Sequence, residues 1–131
     1  MVGIVLITHC NLGKALLEAA TFISGKVKNV QVVSVQDEAI DDLRKAIAKA
    51  IDKVNTGKGV LILTDMFGGT PSNLSYSFLE PGEVEVITGV NLPMLLGAIN
   101  KQEELGVKDL AAFVKEKACN AIILASEELS Q

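Results

Sequence analysis

The sequence predicts a doubly wound α/β fold: a four-stranded, mostly parallel sheet with helices on both faces. Short apolar runs rich in β-branched residues alternate with stretches of helical periodicity, the order that builds a parallel sheet. Hydrophobic residues make up 49% of the 131 residues and aromatic ones only 4%. A core of Val, Ile, Leu and Ala suits strands covered on both sides. The length suits one domain, residues 1–131, with a sizeable core.

Residues 2–8 read as the first strand, and a helix follows over 12–24, with Leu12, Leu16, Ala19 and Ile23 at helical spacing and Gly25 as its stop. A β-branched run over 30–35 is the second strand. The next helix covers 40–55, where Leu43, Ile47, Ala50, Ile51 and Val54 form one apolar stripe. The acidic run from Asp37 and Glu38 to Asp41 and Asp42 belongs to its start, where carboxylates complement the helix dipole. Residues 59–64 make the third strand, followed by a glycine-rich turn and a helix over 71–79. Pro81-Gly82 punctuates the chain before a fourth strand at 83–87. Leu92 and Pro93 begin a further helix, since proline fits the first turn. A helix over 107–117 and a short apolar strand over 120–125 complete the pattern, with 126–131 as a polar tail.

Sixteen acidic against twelve basic residues leave a net charge of −4 and no basic stripe with interleaved aromatics, which argues against nucleic acid as a partner. The longest apolar stretches fall far short of the roughly 18 residues that span a bilayer. The amino terminus enters a strand without the basic flank and cleavage site of a secretory signal, so a cytoplasmic protein is expected. Cys10 and Cys119 lack the spacing of a disulfide framework or a metal site, and both are expected to be small packing residues. No metal and no cofactor is expected.

The only histidine, His9, ends the first strand, and Asp65 ends the third. Parallel strands bring both to the carboxyl edge of the sheet, where open α/β folds place their chemistry. After Asp65 comes Met66-Phe67-Gly68-Gly69-Thr70-Pro71-Ser72-Asn73. The glycines allow close backbone approach to a ligand, Thr70 can cap or contact it, and Pro71 fixes the first helical turn, so that the Ser72 and Asn73 amides face outward. The same residues also make an ordinary capped turn. A neutral imidazole is a nucleophile toward a phosphoryl group when one nitrogen is held protonated and the other left free. Asp65 can accept that proton's hydrogen bond and stabilise the imidazolium that forms. It can equally serve as a local turn cap.

Three segments together, Ile7-Thr8-His9, Leu63 through Asn73, and Gly89-Val90-Asn91-Leu92-Pro93-Met94, resemble the IIA component of the mannose family of the bacterial sugar phosphotransferase system. The likeness extends over about residues 1–125. It implies that His9 carries a transient phosphoryl group, received from phospho-HPr and passed to a IIB component during sugar uptake. It implies that Asp65 orients His9 and that Thr70, where the family often has serine, contacts the phosphoryl group, which makes Gly68, Gly69, Thr70 and Ser72 the candidate phosphoryl-binding turn. Cys10 stands where the family commonly has glycine. The resemblance also implies a homodimer in which the last strand, around 121–125, adds antiparallel to the neighbouring sheet, and association with the membrane components IIC and IID without direct insertion.

Other classes fit poorly. Gly57-Lys58 is followed by Gly59, so the Ser or Thr of a Walker A loop is missing, and no G-x-G-x-x-G follows the first strand. A phospho-aspartate receiver would need an acidic pair after that strand. The remaining alternative is a regulatory module in which the phosphorylation state of His9 controls a binding partner.

Overall fold

The computed structural model describes residues 1–66 and 68–129; Phe67 in the glycine-rich turn and Ser130 and Gln131 of the tail lie outside the described residues. The elements run β1 (Gly3–His9), α1 (Leu12–Ser24), β2 (Val30–Val35), α2 (Ile40–Val54), β3 (Val60–Thr64), α3 (Thr70–Tyr76), β4 (Val84–Thr88), α4 (Leu92–Lys101), α5 (Val107–Asn120) and α6 (Ala125–Leu129). The sheet order is β2-β1-β3-β4, and every pairing between these strands is parallel. From β1 the chain steps outward to β2, then returns to place β3 on the other side of β1. The crevice at the carboxyl ends of β1 and β3 is therefore the topological switch point, where open α/β sheets bind ligands.

Alternation along the strands divides the core in two. Ile4, Leu6, Leu61 and Leu63 pack under α1, α4 and α5, while Val5, Ile7, Val60 and Ile62 pack under α2 and α3. The stripe expected on α2 is buried as a whole, Leu43, Ile47, Ala50, Ile51 and Val54, with Asp41 and Asp42 in its first turn.

Four expectations need correction. The α1 stripe is rotated: Gly13 and Ala20 are buried and Leu16 and Leu17 half-buried against the core, while Leu12 and Ile23 are exposed. Apolar residues on both sides of this helix blur the periodicity, and the small residues let it lie close on β1 and β2. The helix expected over 71–79 ends at Tyr76 and tightens, with the amides of Ser77, Phe78 and Leu79 each bonded three residues back. The strand expected over 120–125 does not form in this chain. Asn120 still belongs to α5, Ala125 opens α6, and Ile122, Ile123 and Leu124 between them are exposed. Strand propensity expresses a fit to a pleated neighbour, and the chain offers this segment none. Cys119 and Cys10 are both exposed rather than packed inside. The buried face of α5 is Val107, Leu110, Val114 and Ala118, so Cys119 falls just off it.

Gly59, leading into β3, has φ +90, and a Cβ there would stand 2.8 Å from the Glu83 carbonyl oxygen. That carbonyl accepts from the Val60 amide, and the Gly59 carbonyl accepts from Gly3. Gly59→Ala combines a left-handed backbone with overpacking, and is expected to lower the unfolding free energy by about 2–4 kcal/mol in urea titration.

Candidate functional site

β1 and β3 end side by side, with Ile7 opposite Thr64, so His9 and Asp65 leave the sheet together. One oxygen of Asp65, Oδ2, accepts from the His9 amide at 2.9 Å and lies 2.8 Å from His9 Nδ1. Its other oxygen, Oδ1, accepts from the Met66 amide at 2.9 Å. The carboxylate thus ties the end of β1, the imidazole and the start of the glycine-rich turn to one point. Its side chain is 9% exposed and that of His9 45%. Burial pushes the Asp65 carboxyl up, but donation from the His9 amide, the His9 ring and its charge, and the Met66 amide outweigh it and hold the group below its ordinary value of 3.8.

An ionised carboxylate only accepts hydrogen bonds. Nδ1 therefore carries the proton, and in the neutral ring Nε2 keeps its lone pair. On the other side of the ring runs Gly69: a Cβ there would lie 2.9 Å from His9 Cε1 and 3.4 Å from Nε2. The imidazole stands between a carboxylate and a glycine backbone, with its free nitrogen on the glycine side.

The turn is closed from within. Ser72 Oγ accepts from the Gly68 amide and donates to the Gly69 carbonyl, both at 3.1 Å, and the Asn73 amide, expected to face outward, donates to the Gly69 carbonyl instead. Ser72 is fully buried, so its hydroxyl shapes the turn, while Thr70 opens α3 in an exposed position. First-turn helix amides have no partner within their own helix. The structure thus gathers His9, Asp65, Gly68, Gly69, Thr70 and Ser72 at one edge of the sheet.

Supports that single residues did not reveal hold this edge. Thr8 Oγ1 accepts from the Gly13 amide at 2.7 Å and fixes the entry to α1. The Thr64 carbonyl accepts from the amides of Gly89 and Val90, and Asn91 Oδ1 caps α4 through the Met94 amide. Asparagine directly before a Leu-Pro helix start was the available signal for that cap. Cys10 adopts φ +47, a left-handed conformation that glycine enters freely. Among the described residues no cluster of His, Cys, Asp and Glu could hold a metal, and no helix is long and apolar enough to cross a membrane.

Because its folded value is depressed, Asp65 contributes stability that is present above the ordinary carboxyl value and lost as pH falls through the folded one. The stability difference between the native chain and Asp65→Asn is expected to shrink below about pH 4, as read by urea titrations at stepped pH. A difference that does not shrink as pH falls through the carboxyl range contradicts the assigned role of the ionised carboxylate.

Comparison with known proteins agrees with this geometry. The family described as PTS system fructose IIA component matches residues 3–115. The chain is 32% identical over 133 aligned positions to the PTS system fructose-specific EIIA component of Bacillus subtilis, covering 100% of this chain and 91% of that protein. It is 33% identical to the sorbose-specific EIIA component of Lacticaseibacillus casei, covering 85% of this chain and 81% of that one. Among solved structures, phosphotransferase system component EIIA from Streptococcus agalactiae superposes with a TM-score of 0.86 at 27% identity, over 97% of this chain and 99% of that one. With the carboxylate-held histidine and glycine-rich turn at the switch point of a parallel sheet, the chain belongs to the IIA components of the fructose, mannose and sorbose phosphotransferase systems.

Proposed function

We propose that the chain is a single-domain phosphocarrier, residues 1–131, in which His9 Nε2 accepts a phosphoryl group from phospho-HPr and passes it to a IIB component. The observation that carries this reading is the Asp65 carboxylate on His9 Nδ1, which leaves Nε2 as the free nucleophile. Nε2 attacks the phosphorus of the donor's phosphohistidine; the new N–P bond forms as the donor's breaks, and the donor imidazole leaves with its electron pair. Positive charge grows on the His9 ring, and the Nδ1–H bond to Asp65 stabilises it. The amides of Gly69, Thr70 and Ser72 and the Thr70 hydroxyl are assigned to the phosphoryl oxygens, while the Gly68 amide, held by Ser72 Oγ, and the Ser72 hydroxyl shape the turn. Transfer to IIB is the same exchange with His9 as the leaving group.

A half-exposed nucleophile at a sheet edge suits transfer between two protein surfaces. The sugar is recognised elsewhere in such a system, and this reading places the chain in the cytoplasm beside the membrane components IIC and IID. Incubation with phosphoenolpyruvate, enzyme I and HPr is expected to label the native chain with acid-labile phosphate and to leave His9→Ala unlabelled. Asp65→Asn should fold and transfer about a hundredfold more slowly, short of the roughly 10⁴ lost when a serine protease triad loses its carboxylate, since phosphoryl transfer rests chiefly on positioning. Label in His9→Ala removes the assignment.

The same reading includes a homodimer. β4 is an edge of the sheet, and beside it runs a groove of about 350 Å³ lined by Val86, Ile87, Thr88, Cys119 and Ile122 among others. Ile122, Ile123 and Leu124 are 78%, 57% and 61% exposed. A second copy's segment adding antiparallel to β4 would bury these side chains and satisfy the edge. Light scattering is expected to show a dimer for the full chain and weakened association once residues 121–131 are removed; a truncated chain that dimerises equally well contradicts the exchange.

A further inference from the structure

The sheet has a second edge, β2, at the opposite side from β4. The Asn29 and Val35 carbonyls accept from the Ile4 and Cys10 amides of β1 and its exit, with Val30–Val35 in register against residues 4–9. Alternate residues of a parallel strand turn their main-chain groups to opposite neighbours. Residues 29, 31, 33 and 35 therefore serve β1, while the N–H and C=O groups of Val30, Val32 and Ser34 point out of the sheet.

Along this edge lies a groove of about 430 Å³, lined by Gln31, Val33, Ser34, Ala46, Lys49 and Lys53 among others, with no acidic residue in its wall. The Ser34 hydroxyl is buried with no hydrogen-bond partner among the described residues. Lys49 and Lys53 are exposed on α2, and neither is among the ion pairs of the described residues. One helical turn separates them, a rise of about 6 Å. Side chains two residues apart on an extended strand are about 6.6–6.8 Å apart.

We infer that the free edge of β2 is a strand-addition site for an extended acidic segment of a partner protein, carrying Asp or Glu at alternate positions opposite Lys49 and Lys53. The outward groups of Val30, Val32 and Ser34 supply the main-chain bonds, and the two lysines supply selection: they repel basic edges and reward acidic ones. The site shares no residue with the phosphoryl-transfer centre and does not rest on that reading.

The test uses the full chain and a short capped peptide alternating Glu and Val, followed by amide chemical shifts and hydrogen exchange at low salt. Exchange of the Val32 and Ser34 amides is expected to slow on peptide addition, equally in the native chain and in His9→Ala. Binding should fall at least tenfold in the double variant Lys49→Glu, Lys53→Glu, and a peptide alternating Lys and Val should not bind. Unchanged exchange at Val32 and Ser34, or equal binding of the basic peptide, overturns the inference. The first result would leave the lysines as guards of an edge that pairs with nothing; the second would make the edge a pairing site on which Lys49 and Lys53 select nothing.

Discussion

The bond between Asp65 and His9 is the constraint on which the site is built. A carboxylate that is 9% exposed is costly unless its oxygens are satisfied, and here three donors satisfy them: the His9 amide, the His9 ring and the Met66 amide. The same contacts fix the last residue of β1, the plane of the imidazole and the first step of the glycine-rich turn. Removing the carboxylate leaves all three donors without this partner at once, a larger loss than one surface ion pair.

The sheet below gives this constraint its rigidity. β1 and β3 are its two central strands, with side chains buried on both faces through Leu6, Ile7, Ile62 and Leu63. Above that aliphatic core a polar layer closes the strand ends. Thr8 and Thr64 are fully buried; the Thr8 hydroxyl takes the Gly13 amide, and the Thr64 carbonyl takes two amides from the loop that leads to α4. The start of α1 is thus tied to the end of β1, and the loop that leaves β4 to the end of β3. A half-exposed nucleophile can keep one orientation on such a base because its support, and not its own burial, holds it.

Much of this was legible in the residues. Parallel strands buried on both faces announce themselves as β-branched runs, and α2 announces itself because Leu43, Ile47, Ala50, Ile51 and Val54 lie on one stripe. The buried stripe of α1 is rotated from the expected one, because Leu12, Phe22 and Ile23 are apolar and exposed while Gly13 and Ala20 are small and buried. The segment 120–125 has the composition of a strand, but composition does not supply the pleated neighbour a strand needs. At the site, His9, Asp65 and the turn could be named from spacing and resemblance. The choice between ring nitrogens could not, because it depends on contacts between residues 56 apart and on the approach of Gly69 to the ring. Both arise only when β1 and β3 lie side by side.

The account stands on Asp65 holding Nδ1 and leaving Nε2 to react, and ring nitrogen NMR of His9 tests that directly. At a pH where the ring is neutral, the unmodified chain should show the proton on Nδ1 and an unprotonated Nε2; after phosphorylation, coupling to phosphorus should appear at Nε2. A proton on Nε2 in the unmodified chain, or phosphorus on Nδ1 in the modified one, would contradict it.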